Sequence, residues 1–201
     1  MTNLKVLKPD NPILRLKCNE LSLKELKTRE TQLQIEELLD YVYETSNKGE
    51  KRDKSKPSTV GLSANQLGLN KSIVIVDLGI GHKSYNDIHV LINPEITWKS
   101  KTIINRDEGC VNLDHIRGLV SRSKRVKVSA LDRSGNKIQL DLTGWSSILL
   151  QHEIDHINGI LFIDHLNNPK NAHLVKEGQF EEYKKHKSNW DKFIDVTNLV
   201  K

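Results

Sequence analysis

The sequence predicts an α+β fold, with mixed or antiparallel β-sheets packed around one central helix, an N-terminal helix and a C-terminal helix. Three observations predict it. Strand-type runs follow one another between residues 72 and 142 without the helix–strand alternation of a doubly wound sheet. Helical periodicity lies on either side of that block. The helical pattern after it, residues 143–162, carries two histidines four residues apart within an apolar stripe.

In chain order, residues 4–20 read as irregular, punctuated by Pro9 and Pro12. A helix is expected between Lys24 and Thr45, with Ile35, Leu38, Leu39 and Val42 as its buried stripe. Residues 46–58 are polar and charged and end near Pro57, which predicts an exposed loop. Residues 60–66 are small and tight, closed by the large polar side chain of Gln66. The apolar run 72–77 is a buried strand, 79–86 a turn, and 88–92 a further strand that Asn93-Pro94 should stop. Residues 96–103 alternate loosely, as an edge strand does. Val126, Val128 and Ala130 point one way while Lys127 and Ser129 point the other. Residues 132–136 then form a hairpin turn, and 137–142 return. The histidine helix should end near Asn158-Gly159, and Pro169 should open a charged C-terminal helix interrupted by Gly178.

Composition narrows the setting. A chain of 201 residues, 36% hydrophobic and 28% charged, suits one soluble domain spanning 1–201, with a helical tail from about residue 170. No apolar run approaches the length of a membrane span. The start, Met1-Thr2-Asn3-Leu4, leads into charged sequence without a signal-peptide core. Cys18 and Cys110 are too few for a disulfide framework, so a reducing cytoplasm is expected. The net charge of +5 is spread out, densest at 48–56 and 122–127. Neither patch interleaves aromatics that stack on bases, so both read as solvated surface, and no specific DNA partner and no membrane are expected.

The chemistry starts from His152-Glu153-Ile154-Asp155-His156. Histidines one helical turn apart can reach one metal ion, and a Glu directly after the first can address a water without being a ligand. Trp145, Ile148 and Leu149 share the stripe with the two histidines. A catalytic site of this kind needs a third protein ligand and one open position. Position 162, six residues after His156, is Phe rather than a third His. Glu177, Glu181 and Glu182 are available downstream, on a segment without a matching motif. Cys110 is the better candidate, because a thiolate is a soft donor and Gly109 before it permits close backbone approach. A Cys/His/His site accepts zinc, iron(II), nickel or cobalt.

Three stretches, in order, resemble the signature motifs of peptide deformylases. Gly61-Leu62-Ser63-Ala64-Asn65-Gln66 is similar to the first, Glu108-Gly109-Cys110-Val111-Asn112 to the second, and Gln151-His152-Glu153-Ile154-Asp155-His156 matches the third in full. Flanking pieces agree: Leu91-Ile92-Asn93-Pro94-Glu95, Arg117, Leu131-Asp132-Arg133-Ser134-Gly135 and Gly159-Ile160-Leu161-Phe162. The resemblance runs from about residue 4 to about residue 170. It departs from the family pattern at Thr59 and Ser63, where a Gly and an Ala are usual, and at Asn65 and Asn112.

The resemblance implies a metal-dependent hydrolase that removes the N-terminal formyl group from formyl-methionyl nascent peptides and releases formate. Cys110, His152 and His156 would hold one divalent ion, iron(II) in the cell, with zinc, nickel or cobalt as substitutes. Glu153 would be the acid/base group. The side-chain amide of Gln66 and the backbone N–H of Val111 would stabilise the oxyanion. Val60, Gly61 and Leu149, beside Ile148, would line the substrate, and Arg117 would bind its backbone or carboxylate. Glu108 and Arg122 would form a supporting ion pair, and Asp155 would orient a ligand or tie down the helix. The implied partners are N-formylmethionyl peptides, with the ribosome near its exit tunnel as the setting. The altered first motif leaves a weakly active protein, or one acting on another N-acyl group, as the alternative. A ribosome-binding module with a structural metal site is a further one.

Overall fold

The computed structural model describes residues 4–45, 59–79, 87–168, 172–197 and 199. Two antiparallel sheets pack against helix α3 (Trp145–Ile157). One sheet has five strands in the spatial order β1 (Gly61–Ser63), β2 (Ile73–Asp77), β3 (Ile88–Lys99), β6 (Arg125–Leu131), β7 (Lys137–Thr143). The other has four, in the order β4 (Ile103–Glu108), β5 (Ile116–Ser123), β8 (Ala172–Leu174), β9 (Phe193–Ile194). Among the described residues the other α-helices are α1 (Leu23–Leu26), α2 (Arg29–Thr45) and α4 (Phe180–His186).

The α+β expectation holds, and β2 shows why the helices sit where they do. Every residue of β2 is buried, because both faces of its sheet are covered. Val74 and Val76 pack with Leu149, Leu150, Ile154 and Ile157 of α3. Ile73 and Ile75, on the opposite face, pack with Ile35, Leu38 and Val42 of α2. Each such aliphatic side chain contributes about 1.5–3 kcal/mol on full burial. The second sheet has its own core, in which Ile116 and Val120 meet Leu161, Phe162, Ala172 and Val196. The N-terminal segment crosses the end of α3: Cys18 N–H donates to the Ile157 carbonyl at 2.8 Å. Gly159, at φ +74, ends that helix as expected, and a Cβ there would stand 2.5 Å from the Arg15 carbonyl oxygen.

Several expectations are corrected. The N-terminal helix is two helices, because Thr28 caps the second: Thr31 N–H donates to Thr28 Oγ1 at 3.2 Å. Asn93-Pro94 does not stop a strand. β3 runs through it on a bulge, with register shifts between Ile92 and Glu95 and between Ile96 and Trp98. Asn93 takes φ 51 there and pins the bulge, its side chain exchanging hydrogen bonds of 2.9 and 2.8 Å with the Leu21 backbone. The expected strand at 96–103 is therefore the far half of β3, while Ile103 opens β4 in the other sheet. The C-terminal tail is not one helix: α4 spans seven residues, with β8 and β9 on either side of it. The basic run 122–127 is not a solvated face throughout, since Arg122 is buried. The charged loop 46–58, turn residues 80–86 and Pro169 lie outside the described residues.

Candidate metal centre and active site

Ligand atoms of Cys110, His152 and His156 lie within 4.8 Å of one another. The helix supplies both imidazoles from one face. Cys110 comes from the turn after β4, which closes when Leu113 N–H donates to the Cys110 carbonyl at 3.1 Å. His152 Nδ1 is 2.8 Å from Glu108 Oε2. The carboxylate accepts, so Nδ1 carries the hydrogen and Nε2 turns its lone pair inward. The Nε2 atoms of His152 and His156 stand 3.2 Å apart, and His156 Nδ1 is buried without a partner among the described residues.

Two facing ring nitrogens at that distance require a proton or a cation between them. Burial opposes charge on His152, but hydrogen bonds with Cys110 and Glu108 outweigh it and raise its pKa. Burial, reinforced by the charge on His152, pushes His156 well down. With the two Nε2 atoms facing each other beside Cys110 Sγ, a thiolate and two imidazoles make a donor set that fits a divalent transition-metal ion.

Glu108 is fixed from behind. Arg122 donates from Nε to Oε1 and from Nη2 to Oε2, each at 2.8 Å, and its Nη1 pairs with Asp155. His165 Nε2 meets the same Asp155 oxygen at 2.7 Å. Burial raises the Glu108 pKa, yet hydrogen bonds from Arg122 and His152 bring it down to about 2. Asp155 therefore ties α3 to β5 through Arg122. Gln151 ties it a second time: its Nε2 donates to the Ser123 carbonyl at 2.8 Å, and its Oε1 accepts from Ser123 N–H at 3.2 Å.

The loop at β1 closes the other side. Glu153 is buried, and burial raises its pKa. Its Oε2 lies 2.9 Å from Ser63 Oγ, which is also 2.8 Å from the Glu153 carbonyl. Gly61 is required by this approach, since a Cβ there would stand 2.5 Å from Glu153 Oε1. Gln66 Oε1 accepts from Ser63 N–H at 2.8 Å. That bond sets the amide orientation, so Nε2 faces His156 Nε2 at 3.2 Å.

The other expected site residues are placed less centrally. Val111 is half-buried in the turn after Cys110. Val60 packs against the cluster containing Leu149, and Ile148 is buried on the same helix. Arg117 is not an open cation: Asp107 Oδ2 accepts from it at 2.7 Å.

A family model described as polypeptide deformylase matches residues 3–172. The chain belongs to the polypeptide deformylase family. The peptide deformylase of Macrococcus caseolyticus is 33% identical over 180 residues, which is 88% of this chain and 97% of that protein. That of Methylocella silvestris is 31% identical over 171 residues, 84% of this chain and 83% of that protein. Among solved structures, the class I type b peptide deformylase from Acinetobacter baumannii with Met-Ala-Ser bound matches with a TM-score of 0.70 at 28% identity, covering 81% of this chain and 98% of that one.

Three departures from the deformylase pattern acquire partners in the structure. Ser63 touches Glu153 as described, Asn65 Nδ2 donates to the His156 carbonyl at 2.6 Å, and Asn112 Nδ2 donates to the carbonyls of Leu7 and Gln66 at 2.9 and 3.1 Å. Nothing in the structure explains Thr59. The sequence carried no signal for His165, Asp107 or Tyr183, whose partners lie ten or more residues away at spacings no motif marks. For Ser63 the signal was a hydroxyl where the family has Ala, while Asn65 and Asn112 showed only as departures from the family pattern.

Proposed function

We propose that this deformylase hydrolyses the formyl group from the N-terminus of formyl-methionyl peptides, releasing formate, at the pocket formed by Cys110, His152, His156, Glu153 and Gln66. The observation that carries the proposal is the convergence of three ligand atoms within 4.8 Å, beside a buried carboxylate. Cys110, His152 and His156 would hold a divalent ion, which would supply Lewis acidity and lower the pKa of water at the site. Glu153 takes the proton of the attacking water on its carboxylate and delivers it to the departing amide nitrogen, a role that its raised pKa suits. Gln66 Nε2–H and the Val111 N–H donate to the oxyanion. Val60, Gly61, Ile148 and Leu149 form the wall for the methionine side chain, and Arg117 addresses the peptide backbone or carboxylate.

Iron(II) is the ion proposed for the cell, with zinc, nickel or cobalt able to take the same donors. Residues 1–201 act as one catalytic domain in the cytoplasm, near the ribosomal exit where formyl-methionyl termini emerge. Peptides, rather than DNA or a membrane, are its partners. The Acinetobacter baumannii deformylase solved with Met-Ala-Ser bound supports a peptide ligand. The test is formate release from formyl-Met-Ala-Ser by anaerobically iron-loaded protein, with metal content measured on the same sample. Release well above a Glu153→Ala control is expected. Release no faster than that control would sink the proposal.

A further inference from the structure

Arg117 lies on β5 and reaches back over the turn that carries Cys110. A Cβ on Gly109 would stand 2.6 Å from Arg117 Nη1. Arg117 Nε and Nη2 donate to Asp107 Oδ2 at 3.2 and 2.7 Å, and Nη2 also donates to the Asp107 carbonyl at 3.3 Å. Nη1 is thus the end of the guanidinium turned toward Gly109, the residue before Cys110.

Asp107 is itself held from the outside. Tyr183 Oη donates to Asp107 Oδ1 at 2.6 Å, and His173 Nδ1 lies 2.9 Å from that hydroxyl. Because the Tyr183 hydroxyl hydrogen goes to Asp107, the Tyr183 oxygen accepts from His173 Nδ1–H. The Phe180 ring lies 5.3 Å from the Arg117 guanidinium. Tyr183 is 1% exposed and meets Trp190 edge-on, while Trp190 Nε1 donates to the Leu174 carbonyl at 3.0 Å. All of these outer groups lie beyond residue 172, where the family match ends.

We propose that the C-terminal segment is a substrate-positioning element: Tyr183, through Asp107, and Phe180, by stacking, hold Arg117 at the rim of the site so that it engages the peptide beyond its formyl-methionine. This inference rests on the deformylase function proposed above. Arginine is long and rotamer-rich, and ordering it beforehand removes that cost from peptide binding. Asp107 neutralises the guanidinium, so Nη1 offers a directed N–H for a peptide carbonyl rather than a free charge. The preference this confers is for peptides over formyl-methionine alone, and it belongs to residues outside the family match.

The test variant is Tyr183→Phe, which keeps the ring packing and removes the hydroxyl. KM for formyl-Met-Ala-Ser should rise about three- to tenfold, the cost of ordering one long side chain. The kcat should stay unchanged, as should KM for formyl-methionine amide. Calorimetric binding of unformylated Met-Ala-Ser should weaken by the same factor. Phe180→Leu should act in the same direction, and in an Arg117→Ala background Tyr183→Phe should add nothing. An unchanged KM, equal losses on both substrates, or an effect that persists in the Arg117→Ala background would overturn the inference and leave the tail a packing element. Wild-type protein that releases no formate defeats the deformylase proposal and this inference with it. Wild-type activity with an unchanged Tyr183→Phe defeats the inference alone.

Discussion

Arg122 grips both carboxylate oxygens of Glu108 at 2.8 Å, and through Glu108 it sets the ring of His152. The Arg122 and Glu108 side chains are 3% and 6% exposed, so removing one partner strands a charge away from water. Arg122→Leu should destabilise the protein by about 3–5 kcal/mol, measured by urea unfolding. Adding Glu108→Gln to Arg122→Leu should recover part of that loss, because no unpaired carboxylate then remains at position 108.

The same pair sets the acid limb of stability. In the metal-free protein Glu108 titrates at about 2 rather than at its ordinary 4.5. A folded-state pKa below the unfolded one means that the ionised carboxylate contributes stability. That contribution is full above pH 4.5 and is lost as pH falls toward 2. Melting temperature of metal-stripped protein should therefore fall across that window. In Glu108→Gln the slope should be visibly flatter, and an unchanged slope would show that Glu108 does not drive the acid transition.

Gln66 has both ends of its amide committed, one to Ser63 N–H and the other toward the facing histidines. Gln66→Ala should cost ~10²–10³ in kcat, the usual effect of removing one oxyanion donor. Bound metal, measured by elemental analysis, should stay near one equivalent, because Gln66 is not among the three ligands.

Gly61→Ala tests the geometry of Glu153 without touching its charge. The added methyl would meet Glu153 Oε1 at 2.5 Å, so the carboxylate must swing away or β1 must shift. Activity should drop by at least about tenfold, given how steeply proton transfer depends on placement. The loss should fall mainly on kcat, with metal content retained. Wild-type kcat in this variant would mean that the carboxylate has room to spare.

What was legible in the chain was what is local. His152 and His156 share a helix face by spacing alone, and the 125–143 hairpin announces itself by alternation around Asp132-Arg133-Ser134-Gly135-Asn136. The long-range partners were harder. Asn93-Pro94 carries the composition of a strand stop, and only the Leu21 backbone, remote in sequence, turns it into a bulge. Strands β4 and β5 were missed because their ends are occupied by polar site residues, which blurs the alternation. The tail has the charged composition of a helix, yet Ala172 and Val196 are drawn into the core of the second sheet. Arg122 sat in a run that looked solvated, and nothing local distinguishes it from Arg125, which pairs with Asp141 at the surface.

The threading of the site also bears on how the protein assembles in time. Ser63 and Glu153 are 90 residues apart, and Glu108 and His152 are 44 apart. The 125–143 hairpin and α3 need only nearby chain to form, whereas the ligand cage needs two long closures to be completed at once. The cage should therefore be among the last parts to form during refolding. A cobalt or nickel chromophore followed by stopped-flow absorbance should appear after the far-ultraviolet helix signal, so that metal capture reports the final consolidation of the chain rather than its nucleation.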